Sequence, residues 1–187
     1  MGGIYSSASH TLNAPSSQDM LTNITRLDAL VNNAAIGAPS GPLAQQMSQI
    51  FQTNATGPLL MVESFAPLLK KSTGTPRIVN VSSGGGSITT RLDPTSTGYK
   101  MKSVPYRASK AALNMITACQ AVEYGGLGFK VFVYCPGFTV SNLGPYNKAE
   151  NGAKPTSEGA APMVKILNGE RDAEHGKFLH ATGQYPW

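Results

Sequence analysis

Apolar runs alternate with helical periodicity along the chain. "LDALVNNA" is a short apolar run that ends in turn-prone asparagines, the pattern of a buried strand. "RIVNVSS" and "FKVFVYC" repeat it, the second closing on Pro136-Gly137. Between the first two runs, Leu43, Met47, Ile50, Phe51, Leu59, Leu60, Val62 and Phe65 fall at helical spacing, with Gly57-Pro58 predicting a bend. Pro105 opens a further helix that reaches about Tyr124, and Gly125-Gly126 ends it. "SEGAAPMVKIL" predicts a helix with Ser157 as N-cap, and "GKFLHA" a last short strand. A short helix is predicted around 17–25, and irregular segments over 84–104 and 138–154. Strands alternating with helices predict an α/β fold with a parallel sheet.

In such a sheet the working residues collect at the carboxyl ends of the strands. Asn32-Asn33, Ser82-Ser83 and Pro136-Gly137 stand there. The helix that opens with "PYRASK" starts at the same edge. Its Tyr106 and Lys110 are four residues apart and leave one helix face together. Separate parts of the chain thus aim hydroxyl, phenol, ammonium and amide groups at one crevice. Tyr106 alone would read as a half-buried structural tyrosine, and Lys110 as a solvated one.

Composition narrows the partners. The 187 residues suit one domain, and 41% hydrophobic with 13% charged residues suits a globular one. The net charge of +5 can attract phosphate-bearing ligands. No dense Lys/Arg run with interleaved aromatics points to nucleic acid. Cys119 and Cys135 form no CxxC, and His10, His175 and His180 fit neither a metal pattern nor a triad. No apolar run is long enough to span a membrane, and the expected location is cytoplasmic. "SSGGGS" looks like a phosphate loop after a strand, but no helix is predicted directly after it, so it reads as a flexible pocket rim.

Five ordered motifs together resemble the short-chain dehydrogenase/reductase family: "NNAA", Asn54 in "TNATG", Ser83 in "IVNVSS", the YxxxK of "YRASK", and "PGFTVS". The long segment before Tyr106 and the ending "TGQYPW" look like the carbonyl-reductase branch. The resemblance implies a Rossmann-like sheet and hydride exchange between a nicotinamide cofactor, NADP ahead of NAD, and a carbonyl or alcohol substrate. It implies Tyr106 as general acid or base, with Lys110 lowering the phenol pKa and holding the nicotinamide ribose. Ser83 would hydrogen-bond the substrate oxygen, and Asn54 would anchor a water leading protons to the lysine. Asn33 and Ala34 would line the adenosine side, and Ala35 stands where the family has glycine. Pro136, Gly137, Thr139 and Ser141 would meet the carboxamide and phosphates.

The family's TGxxxGxG turn has no counterpart in this reading. Only 26 residues precede "LDALVNNA", fewer than the roughly 30 of a βαβ unit. "MGGIYSSASH" lacks the glycine spacing and has no strand before it. The expectation is a single, N-terminally truncated domain over 1–187 that lacks the first strands and the Gly-rich phosphate loop, with 1–15 a disordered lead. The edge of "LDALVNN" would then be bare. Two alternatives follow: a catalytically incomplete fragment, or a non-enzymatic dimerisation partner of full-length relatives. The helices over 41–70 and 105–124, which pair between subunits in the family, make a homo-oligomer an expectation. Met115, Ile116 and Cys119 could serve that contact, although burial within the subunit explains them equally well.

Overall fold

The computed structural model describes residues 4–6, 24–96, 98–99 and 102–187. Its five strands are β1 (Ile4–Ser6), β2 (Ala29–Asn32), β3 (Arg77–Val81), β4 (Lys130–Tyr134) and β5 (Phe178–Leu179). All pairings are parallel, in the order β1-β2-β3-β4-β5. Parallel neighbours need crossovers, and from β2 onward helices supply them. Between β2 and β3 run α1 (Leu43–Phe51), a π-helical turn (Gln52–Thr56) and α2 (Gly57–Leu69). Between β3 and β4 lie a 3₁₀ turn (Gly84–Gly86), α3 (Ile88–Leu92) and α4 (Val104–Gly125), and between β4 and β5 lies α5 (Thr156–Leu167).

The period-2 alternation of the strands sorts the core into two layers. Leu30, Ile78 and Val131 face one way and pack with Val62, Phe65 and Leu69 of α2 and Ala121 and Tyr124 of α4. Val31, Val79 and Phe132 face the other way, onto Ile166 of α5. The strands read as continuous apolar runs because both faces are covered.

Four expectations are revised. First, a strand does precede "LDALVNNA": Ile4–Ser6 pairs in parallel with Ala29–Val31, inside the segment expected as an irregular lead. The edge of β2 is therefore paired over three residues rather than bare. Second, the bend expected at Gly57-Pro58 is a widened turn just before it, at Gln52–Thr56. Third, α5 starts at Thr156 after Pro155 with no side-chain cap, so Ser157 is not its N-cap. Fourth, a short helix does follow "SSGGGS": Ser87 Oγ accepts from Thr90 N at 3.0 Å and caps α3. The helix expected around 17–25 and His10 lie mostly or wholly outside the described residues. Ile24 and Thr25, which are described, are not helical.

Candidate active site

The carboxyl ends of β2, β3 and β4 open into a crevice of about 650 Å³. Asn33, Ala34, Ser83, Tyr106, Lys110, Pro136, Gly137, Thr139 and Ser141 line it, so nine of the ten site residues expected from sequence meet in one place. Asn54 does not line it. It is fully buried, and the π-helical turn aims its amide at the wall. Asn54 Oδ1 accepts from Ile36 N at 2.9 Å, and Nδ2 donates to Ile36 O at 2.9 Å and to Ser109 Oγ at 3.0 Å. Ser109 Oγ in turn donates to Tyr106 O at 2.7 Å. Asn54 therefore ties the loop after β2 to the first turns of α4.

Ser83 follows β3 in extended conformation, and its Oγ accepts from Gly85 N at 3.1 Å. The Ser83 side chain lies close enough to the Tyr106 phenol to lower its pKa. Lys110 is 2% exposed, and its Nζ donates to Val81 O at 2.9 Å. That nitrogen lies 5.9 Å from the centre of the Tyr106 ring. The 3₁₀ turn reaches α4 closely because residue 86 is glycine: a Cβ there would stand 2.8 Å from Lys110 C and 2.9 Å from Lys110 Cβ.

Burial decides the electrostatics. It pushes the Tyr106 phenol up to about 12, against the lowering effect of Ser83. It pushes the Lys110 ammonium down to about 8. The lowering effect on the phenol comes from Ser83 and not, as expected, from Lys110, and burial outweighs it because desolvation disfavours the charged form of each group. At neutral pH the phenol keeps its proton, which suits a proton donor.

The third wall is the segment after β4, expected as irregular over 138–154 and as the place of Thr139 and Ser141. Thr139 and Lys154 form a parallel bridge, and Asn147 Nδ2 donates to Thr139 O at 3.2 Å. A Cβ on Gly159 of α5 would stand 2.6 Å from Thr139 Cγ2 and 3.3 Å from Pro136 Cβ, so α5 docks directly against this loop. Gly137 adopts φ +80, which only glycine takes easily, with open space where a Cβ would stand. Sequence reading missed Cys135. Its buried Sγ accepts from Gly84 N at 3.2 Å and Gly137 N at 3.4 Å, joining the turns that follow β3 and β4. Its position just before Pro136 was the available signal. His175 and His180 have separate roles: His175 Nδ1 accepts from Val131 N at 2.9 Å, and His180 packs on Tyr185.

A family model described as short chain dehydrogenase matches residues 14–151. The chain belongs to the short-chain dehydrogenase family. Short-chain dehydrogenase anuI of Penicillium roqueforti is 40% identical over 145 residues, which cover 74% of this chain and 56% of the relative. Short-chain dehydrogenase/reductase tropE of Talaromyces stipitatus is 31% identical over 179 residues, 87% of this chain and 67% of that one. The chain thus spans between about half and two thirds of these relatives' length. The C-signal protein of Myxococcus xanthus is 26% identical over 166 residues, 86% of this chain and 93% of its own. Among solved structures, NADPH-bound carbonyl reductase from chicken fatty liver superposes with a TM-score of 0.74 at 30% identity, covering 92% of this chain and 70% of that one. Within this family the chain shares its parallel α/β fold with the carbonyl reductases.

Proposed function

We propose that the crevice exchanges a hydride between a nicotinamide cofactor, NADP ahead of NAD, and a carbonyl or alcohol substrate. The observation that carries this reading is the gathering of Ser83, the Tyr106 phenol and Lys110 in one crevice, with open space beside the Gly137 backbone that also lines it. The residues present suit the nicotinamide and ribose portion of such a cofactor. Among the described residues Lys110 Nζ makes one hydrogen bond, so the ammonium has donors left for ribose hydroxyls. Gly137 leaves room for a close backbone approach. Thr139 and Ser141 offer hydroxyls for carboxamide or phosphate oxygens, and Asn33 and Ala34 line the adenosine side. The cofactor, when bound, supplies or takes up the hydride.

The chain supplies the rest. Tyr106 keeps its proton at neutral pH and gives it to the substrate oxygen as negative charge develops there. Ser83 Oγ, beside the phenol, donates to the same oxygen and holds the carbonyl within reach. The Lys110 ammonium, 5.9 Å from the ring, stabilises the phenolate left behind. In the reverse direction the same groups take up the alcohol proton. Asn54 holds the two crevice walls together through Ile36 and Ser109.

Two further features belong to this proposal. A second copy of the chain docks through the helices over 41–70 and 105–124, where Leu60, Met115 and Val122 are exposed. The proposed location is cytoplasmic; among the described residues no helix is long and apolar enough to cross a membrane.

The test starts with binding. NADPH or NADH fluorescence is titrated against the purified chain, and cofactor oxidation is then followed with a panel of aldehydes and ketones. Tyr106→Phe should keep the binding and lose turnover by roughly 10²–10⁴-fold, the usual range for removing a general acid. Equal rates from wild type and Tyr106→Phe, or no binding at millimolar cofactor, would sink the proposal. Light scattering reports the oligomeric state, and a monomer would remove the paired-helix part.

A further inference from the structure

Helix α4 turns an unusual face to the sheet. Lys110, Asn114, Thr117 and Gln120 are spaced four and three residues apart, so they form one stripe. All are buried, with exposures of 2%, 4%, 1% and 2%. This is where a helix packed on a sheet ordinarily carries apolar residues.

Each member meets a partner on or next to β3. Lys110 Nζ donates to Val81 O, and Ser82 Oγ donates to Asn114 Oδ1 at 2.7 Å. Asn114 Nδ2 reaches Gly86 O at 3.3 Å. Asn80 Nδ2 donates to both Thr117 Oγ1 and Gln120 Oε1, each at 2.8 Å. Asn80 Oδ1 accepts from Asn32 Nδ2 at 2.8 Å, which carries the seam across to β2. Asn32 and Asn80 are register partners, so the two amides stack on the same face.

The seam is costly. Asn32 Oδ1 and Gln120 Nε2 are buried with no partner among the described residues. Each such orphan costs about 1–3 kcal/mol. Apolar side chains of similar volume would dock the helix without that cost, but apolar contact is not directional, and a greasy stripe lets a helix slide or roll. Hydrogen bonds weaken steeply with misplacement. A seam of at least five side-chain bonds therefore fixes the height and rotation of α4 far more tightly than its apolar equivalent.

We propose that this seam positions the reacting groups, with Asn80, Thr117 and Gln120 as positioning residues that hold α4, and with it Tyr106 and Lys110, in register with Ser83 on the β3 side. The proposal rests on the reading of those three groups given above. Asn80 lies three residues before Ser83 on one side, and Thr117 lies two helical turns after Lys110 on the other. The bond between Asn80 and Thr117 thus spans the two elements whose relative placement sets the Ser83–Tyr106 spacing.

The experiment compares Thr117→Val and Gln120→Met with the conservative Thr117→Ser. A control, Val62→Ala, removes core volume from α2 without changing a seam residue. Far-UV circular dichroism and urea unfolding verify folding, and kcat and KM for a carbonyl substrate are read separately. The NMR cross-peak of the Lys110 ε-methylene, assigned by its loss in Lys110→Arg, is recorded for each variant. Thr117→Val and Gln120→Met should lose roughly tenfold to hundredfold in kcat at nearly constant KM, the scale expected for sub-ångström misplacement. Their Lys110 peak should move, Thr117→Ser should restore both readouts, and Val62→Ala should change stability alone. Unchanged kcat and peak position in both seam variants would overturn the proposal, as would an equal kcat loss in Val62→Ala. Where the wild type itself turns over no carbonyl, the oxidoreductase reading fails, and the Lys110 peak by itself decides the positioning.

Discussion

Gly86→Ala places a methyl group at the junction on which the candidate site depends. The new Cβ would stand 2.8 Å from Lys110 C, 2.9 Å from Lys110 Cβ and 3.0 Å from Ala111 N. Ordinary contact begins at 3.4 Å, so the 3₁₀ turn and α4 must part by about 0.6 Å. Two of the three obstructing atoms are backbone and cannot rotate away. Overpacking of this kind costs about 1–3 kcal/mol. For a chain of this size that lowers Tm by about 2–12 °C. The same displacement separates Ser83, at the start of the turn, from Tyr106 and Lys110 on the helix. It should lower kcat by roughly tenfold to hundredfold. Urea unfolding and thermal melts measure the first effect. Turnover and the Lys110 NMR signal measure the second. A variant within about 0.5 kcal/mol of wild type, the usual range for neutral substitutions, with unaltered turnover and Lys110 signal would refute the reasoning.

Lys110→Met should raise stability at pH 7, because it removes a buried ammonium whose drop from 10.5 to about 8 corresponds to roughly 3 kcal/mol. Between those two pH values the unfolded wild type holds a proton that the folded chain has released. Wild-type stability therefore rises with pH across that window, and the advantage of the variant should vanish above about pH 10.5 in melts run across pH. Asn54→Leu removes three buried hydrogen bonds and strands Ile36 N and O; it should cost about 2–4 kcal/mol in urea unfolding. Asp172 receives Arg77 Nε at 2.9 Å and Nη2 at 2.6 Å, which holds its carboxyl below the ordinary value. That pair stabilises the fold above the unfolded carboxyl pKa, and the contribution is lost as pH falls through the lowered folded value. Asp172→Asn should therefore be less stable at pH 7, and its acid-side stability loss should be shallower than that of wild type.

The strand pattern settled much of this architecture in advance. The runs "LDALVNN", "RIVNVSS" and "FKVFVYC" are short, apolar and bounded by turn residues, which is the signature of strands covered on both faces. Tyr106 and Lys110 were legible because four residues on a helix fix a shared face whatever surrounds them. Other features depended on neighbours distant in sequence. Asn54 belongs to a wall rather than to the lining, because the widened turn aims it at Ile36 and Ser109. Ile4–Ser6 becomes a strand because an unpaired edge of β2 is there to receive it, not because three residues carry a pattern. Lys110 alone reads as a solvated lysine, and the stripe 110–114–117–120 becomes a buried seam only because β3 brings Asn80 against it. The phenol of Tyr106 ends above its ordinary pKa because burial outweighs the lowering by Ser83, and burial is a property of the assembled walls. The sequence by itself determined which residues could do chemistry and on which elements they ride, since periodicity and spacing are local. Only the tertiary structure decided their protonation, their partners and the register that brings them together, because desolvation and directional hydrogen bonds exist only once distant segments meet.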